Sequence, residues 1–174
     1  MKSRALIGLL LLGSLAAACG DDPPTAPSPA SSSVTFTATL LPSSEVPPIS
    51  GVEANGSGTA TLTFNLTKDA AGTTTAATLD TTVSVTGFPA GTALTASHIH
   101  PGATGANGGI LVSLGLAAGD VTFATGSGSF TRQGITVPVD QANSILANPA
   151  GFYLNIHTAA NPGGVARGQL TRTP

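Results

Sequence analysis

The chain has 174 residues, 41% of them hydrophobic and only 8% charged, with a formal net charge of −2. That length suits one domain with tails, and the charged share is about a third of the ~25% usual in soluble domains. Lys and Arg together number 6, so no basic patch exists to meet a phosphate backbone, and nucleic acid is excluded as a partner. Thr, Ser, Gly and Ala take the place of charge, as in a β-rich extracytoplasmic domain.

The N-terminus reads as an export signal over residues 1–18. Lys2 and Arg4 form a positive start, Ala5 to Leu12 an apolar run, and Ala16, Ala17 and Ala18 a small-residue run before Cys19. The apolar run is shorter than the ~20 residues that span a bilayer. Small residues ending in a cysteine resemble a bacterial lipobox, although Ala16 stands where Leu is commonest. The resemblance implies cleavage before Cys19, its lipidation, and durable anchoring by several acyl chains. The other reading is an ordinary secretory signal in which Cys19 is incidental. Cys19 is the only cysteine, so no intrachain disulfide can form. Without residues 1–18, four basic and eight acidic side chains remain, a net charge of about −4. Residues 19–33, Cys19 followed by GDDPPTAPSPASSS, read as a lipidated cysteine and a flexible tether. The folded domain is expected over 34–174.

From Val34 the pattern has a period of two. Val34, Phe36, Ala38 and Leu40 alternate with Thr35, Thr37 and Thr39. Ala60, Leu62, Phe64 and Leu66 alternate with Thr59, Thr61, Thr63 and Asn65. Leu79, Val83 and Val85 alternate with Thr78, Asp80, Thr82 and Ser84. Thr suits the wet face of a strand because it is β-branched and polar. Further strands are predicted over 95–100, 110–114, 120–131, 151–157 and 166–172. Turn signals separate them: Pro42, Asn55-Gly56, Asp69 to Gly72, Pro89 to Gly91, Gly102 to Gly109 and Asn161 to Gly164. One short helix is predicted near 140–148, capped by Asp140, with Ile145 and Leu146 inward and Pro149 stopping it. There is no internal repeat. The expected class is all-β: an immunoglobulin-like Greek-key β-sandwich or barrel of about eight strands with that one helix.

The chain has three histidines, in two similar settings: SHIHPGATGANGG and NIHTAANPGG. Strand parity orients them. With Ile99 toward the core, His98 and His100 leave by the opposite face. Phe152, Leu154 and Ile156 share one parity, and Tyr153, Asn155 and His157 the other. With Leu170 in the core, Arg167 and Gln169 also lie on the far side. The faces so identified are wet or covered by loops.

Two imidazoles at i and i+2 sit ~6.5–7 Å apart at Cα, close enough to share an ion with ~2.0 Å bonds. A third from another strand would complete a set of three nitrogens. Without a thiolate, that set suits copper, or less well zinc, rather than Mg²⁺ or Ca²⁺. The alternative is that each imidazole hydrogen-bonds its own turn. Arg167, Asn155 and Tyr153 are the candidates for binding an anion beside the ion or for supporting its ligands. Arg167 can equally pair with a carboxylate or a carbonyl.

No catalytic set is visible. GATGANGG lacks the Lys of a phosphate loop and no helix follows it. Ser97 and His98 are adjacent on a strand and so point apart, and there is no Gly-x-Ser-x-Gly elbow. The carboxylates Glu45, Glu53, Asp69, Asp80, Asp120 and Asp140 are scattered, mostly near turns.

Three pieces together resemble the chordin-type domain called CHRD. LPSSEVPP (Leu41–Pro48) is similar to the family's opening L-x-x-x-E-V-P-P. SHIHPGATGANGGILV is similar to its A-H-I-H-x-G-x-x-G-x-x-G segment, and YLNIHTAANPGGVARGQL to its closing Y-V-N-V-H-T-x-x-N-P-x-G-E-I-R-G-Q-L. Val165 stands where the family often has Glu, which removes one acidic candidate from the site. The resemblance implies an extracytoplasmic immunoglobulin-like β-barrel module. In animals such modules occur in chordin, which binds bone morphogenetic proteins, and bacterial members are often single domains behind a signal.

The family is also similar to copper–zinc superoxide dismutases, which carry an H-x-H of copper ligands and a late Arg near the metal. By that likeness His98, His100 and His157 are ligand-like and Arg167 guides anions. Three histidines cannot build the dinuclear site of those enzymes, whereas a mononuclear copper site survives the count. Two functions follow. The first is a lipid-anchored module in the bacterial cell envelope, without catalytic activity, binding a protein or glycan. The second is a mononuclear copper, or zinc, protein with a redox or superoxide-related role.

Overall fold

The computed structural model describes residues 29–174. The export signal, Cys19 and most of the expected tether lie outside the described residues. Threonine-faced alternation produces three long paired strands: β1 (Ala30–Leu40), β2 (Ser57–Lys68) and β3 (Thr74–Thr86). β1 starts at Ala30, earlier than the alternation from Val34 marks, because Ala30 already pairs with Lys68. Phe36, Leu62, Phe64 and Leu79 are fully buried on the inner face. Phe36 meets Phe64 edge to face, with ring centroids 5.8 Å apart. The outer face pairs like with like, as where Thr35 and Thr63 share a hydroxyl hydrogen bond of 3.2 Å.

The second sheet forms around β4 (Thr92–Pro101). Beyond it lie β5 (Val112–Ser113), β6 (Val121–Phe123), β7 (Gly128–Thr136), β8 (Phe152–Thr158), β9 (Ala166–Gln169) and β10 (Thr171–Arg172). One antiparallel sheet runs β10-β1-β2-β3-β7, and the other β5-β4-β8-β9 with β6 also on β4. The architecture is an all-β sandwich. Its core joins Leu40, Leu62 and Phe64 of one sheet with Leu94, Ile99, Leu154 and Ile156 of the other.

Three expectations are corrected. The single strand expected over 166–172 is two, β9 paired with β8 in one sheet and β10 with β1 in the other. The single strand expected over 120–131 is two, β6 and β7, in different sheets. The turn between them holds Gly126 at φ +75, where a Cβ would lie 1.8 Å from the Phe88 carbonyl oxygen, so the chain can change sheets there. The helix is α1 (Val139–Ala147), and its cap position is Pro138, not Asp140. Asp140 lies inside the first turn, where its charge favours the helix dipole but its side chain no longer reaches the first free amides. Ile145 is fully buried, as expected, and Leu146 packs half-buried against the core.

The two sheets meet where β9 hands over to β10. The Leu41 and Arg167 backbones bond to each other, N–H to carbonyl, at 3.0 and 3.3 Å. Next to that bridge a Cβ on Gly168 would stand 2.1 Å from the Thr39 carbonyl oxygen. Gly168→Ala is therefore expected to destabilise the domain by about 1–3 kcal/mol or more, read as a lower midpoint in urea. Gly109→Ala, where nothing lies within 4 Å, should leave that midpoint unchanged.

Candidate metal centre

Two strands position the site. In β4 Ile99 is fully buried in the core, which turns His98 and His100 to the opposite face. A register shift between Leu94 and Ala96 lets Leu94 and Ile99 share the core despite unequal parity. In β8 Leu154 and Ile156 are fully buried in the core, so Tyr153, Asn155 and His157 take the face of the imidazoles. Pairing then sets His98 opposite Asn155, His100 opposite Tyr153, and Ala96 opposite His157. β9 adds Arg167 opposite Asn155. This face is covered by loops: His100, Asn155, His157 and Arg167 are all buried and only His98 is partly open.

The three imidazoles converge. One ligand nitrogen from each lies within 4.8 Å of the other two. His98 Nδ1 is 3.1 Å from His157 Nε2. Each buried ring also holds a turn: His100 Nδ1–H donates to the Gly108 carbonyl at 3.1 Å, and His157 Nδ1–H to the Pro162 carbonyl at 2.9 Å. The two roles open from the sequence, shared ion or locked turn, are thus compatible. A ring whose Nδ1–H is tied to a carbonyl presents the bare Nε2, as metal-bound histidines do.

Burial, with His157 and His100 adding to it, pushes the His98 imidazole down to about 4. Burial also lowers His157; the Pro162 carbonyl opposes the shift and His100 reinforces it. Both rings are therefore neutral at pH 7, with lone pairs available to a cation. Three imidazole nitrogens fit one late first-row ion, copper or zinc.

Around them stands a second set of side chains. Tyr153 stacks on His100, centroids 5.1 Å apart and planes 9° from parallel, and Arg167 lies over Tyr153 at 4.6 Å. Arg167 also fastens the covering loops. Its Nε donates to the Ser44 carbonyl at 2.6 Å, and its Nη1 to the Ala106 carbonyl and Asn107 Oδ1 at 3.1 and 3.0 Å. This guanidinium is buried among loop carbonyls rather than facing solvent. Gln169 does similar work, donating to the carbonyls of Gly102, Ala150 and Phe152.

Sequence reasoning missed Glu45. It is buried beside Arg167, with Oε2 3.5 Å from Nε. Burial pushes its carboxyl up to about 7, while Arg167 and the Asn155 amide act against that. The only signal for it was its place in the L-x-x-x-E-V-P-P element. Glu53, also buried, accepts from Thr158 Oγ1 and Asn161 Nδ2 and so secures the turn after β8. Val165 lies in the hydrophobic core, so its side chain takes nothing from the imidazole face. A cavity of about 340 Å³ opens beside Glu45 between residues 46–50 and 160–164.

Fold and site together define an all-β sandwich module with a loop-covered trio of imidazoles on one sheet. The family model of the CHRD domain matches residues 36–170, and the chain belongs to that family. No curated protein and no solved structure matches it.

The shifts work against each other in acid. Lowered imidazoles cost stability as pH falls from 6.5 toward 4, because the unfolded chain takes up protons first. A raised Glu45 adds stability over the fall from about 7 to 4.5, because the folded chain does. Metal-free Glu45→Gln should therefore lose melting temperature more steeply between pH 7 and pH 5 than wild type. Parallel slopes would refute the opposition.

Proposed function

We propose that this CHRD domain is an extracytoplasmic metal-binding module that holds one copper ion, or less favourably zinc, through His98, His100 and His157. The observation that carries this reading is the gathering of three ligand nitrogens within 4.8 Å, two of them bared by carbonyl-tied Nδ1–H groups. Bound copper would supply one-electron chemistry at the site. The chain's own contribution is to orient the imidazoles, keep them neutral and cover them with loops. Lipidated Cys19 and the segment before β1 would hold the domain off a bacterial envelope membrane. This reading of the leader rests on its charge, its short apolar run and its small residues before the cysteine.

Titration of the purified protein with Cu²⁺ should show one ion per chain, with binding weakened more than about tenfold in each of His98→Ala, His100→Ala and His157→Ala. Saturation should raise the melting temperature, since a ligand at 100 times its Kd adds about 2.7 kcal/mol. Binding that ignores all three substitutions would sink the metal reading and leave a protein or glycan partner as the ligand. Cys19→Ala should move the protein from the membrane fraction to the soluble fraction of the producing bacterium. An unchanged distribution would refute lipid anchoring.

A further inference from the structure

Asn155 stands in a contact that ordinary hydrogen bonding does not explain. Its Oδ1 is 3.1 Å from His100 Nε2 and 2.9 Å from His157 Nε2. Either distance is a hydrogen bond only if a proton lies between, and none is available. His100 has given its Nδ1 proton to the Gly108 carbonyl, and His157 has given its own to the Pro162 carbonyl. A carbonyl cannot donate, and a neutral imidazole has one N–H. Charging both rings to fill the two gaps would set two cations 6.2 Å apart at their ring centroids.

Turning the Asn155 amide round would offer N–H donors to both nitrogens, but it would swing the carbonyl oxygen to the Glu45 side, where only a protonated Glu45 could donate to it. Asn155 Nδ2 and Glu45 Oε1 both face Gly164, where a Cβ would come within 2.7 and 2.6 Å of them. Glu45 Oε1 is itself buried without a hydrogen-bond partner, so an ionised Glu45 favours the amide N–H on its side.

In that orientation Asn155 Oδ1 and the two imidazole Nε2 atoms meet with no hydrogen among them, and a cation between them removes the conflict. Three of the spacings are also of the right size. Ligands around a tetrahedral ion with ~2.0 Å bonds are ~3.3 Å apart, and the contacts of 2.9, 3.1 and 3.1 Å among Asn155, His157, His100 and His98 lie close to that. The sequence pattern matches the geometry: N-x-H on β8 faces H-x-H on β4.

We infer that Asn155 Oδ1 is a fourth ligand of the ion, so that the donor set is three imidazole nitrogens and one amide oxygen. This rests on the three-histidine reading and sharpens it. A neutral oxygen in the set favours Zn²⁺ or Cu²⁺ over Cu⁺, which prefers softer donors. It also assigns Glu45 as the residue that positions the amide.

Zinc affinity, by chelator competition on the purified protein, separates the roles when Asn155→Asp and Asn155→Leu are compared with wild type. A ligand role predicts that Asp, which keeps the oxygen, binds at least as tightly as wild type, while Leu binds more than about tenfold more weakly. An amide that merely donates to the imidazoles predicts that Asp fails as badly as Leu, because a carboxylate has no N–H. That result, or a Leu variant matching wild type, overturns the assignment. An anomalous difference map from zinc-loaded crystals supplies a readout independent of variant stability. Oδ1 should lie within ~2.3 Å of the ion, and a separation beyond ~3 Å overturns the proposal. His100→Ala distinguishes the two levels: zinc binding unaffected by His100→Ala refutes the three-histidine site itself, whereas a loss there with an indifferent Asn155→Leu refutes only the fourth ligand.

Discussion

A sheet face that is both polar and buried is the constraint on which the rest of this structure depends. β4 and β8 send His98, His100, Asn155 and His157 away from the hydrophobic core, yet most of these atoms are closed off from water. Buried polar groups must find partners or lose several kcal/mol. The loops answer that need from above. The carbonyls of Gly108 and Pro162 take the imidazole protons, and those of Ser44 and Ala106 take the guanidinium. Satisfying one side of His100 and of His157 leaves the other nitrogen of each bare and aimed at a common point. Turn-locking and metal-binding readiness thus come from one set of bonds.

Arg167 connects this face to the fold. Its backbone bridges Leu41 across the sheets, and its side chain reaches two loops, one after β1 and one after β4. The three stretches that identify the CHRD family are far apart in the chain but meet here: Glu45 from the first, the imidazole pair and Gly108 from the second, and Asn155, His157 and Arg167 from the third. Their joint presence is explained by one site rather than by three separate structural needs.

Much of this was legible in the residues. Alternation of Thr with Leu, Phe and Val marked the long strands, because a strand with one wet face must repeat every two residues. The same rule sorted Ile99 from His98 and His100, and Leu154 and Ile156 from Asn155 and His157. It could not see where a strand changes sheet, as at Gly126, nor that Asp140 falls within a helix whose cap is Pro138. Those depend on which backbone lies alongside, as the Phe88 carbonyl does at Gly126. Glu45 was invisible as a site residue because its importance comes from burial beside Arg167, far along the chain.

The sequence by itself determined the all-β class, the family, and the face from which each imidazole leaves its strand, because these follow from local period and from motifs read along one segment. Only the tertiary structure decided that the faces coincide, that loops cover them, and that Asn155 and Glu45 join the imidazoles. Convergence of that kind depends on antiparallel register between β4 and β8 and on loop closure over them. Both are set by packing between residues distant in sequence, where strand parity carries no information.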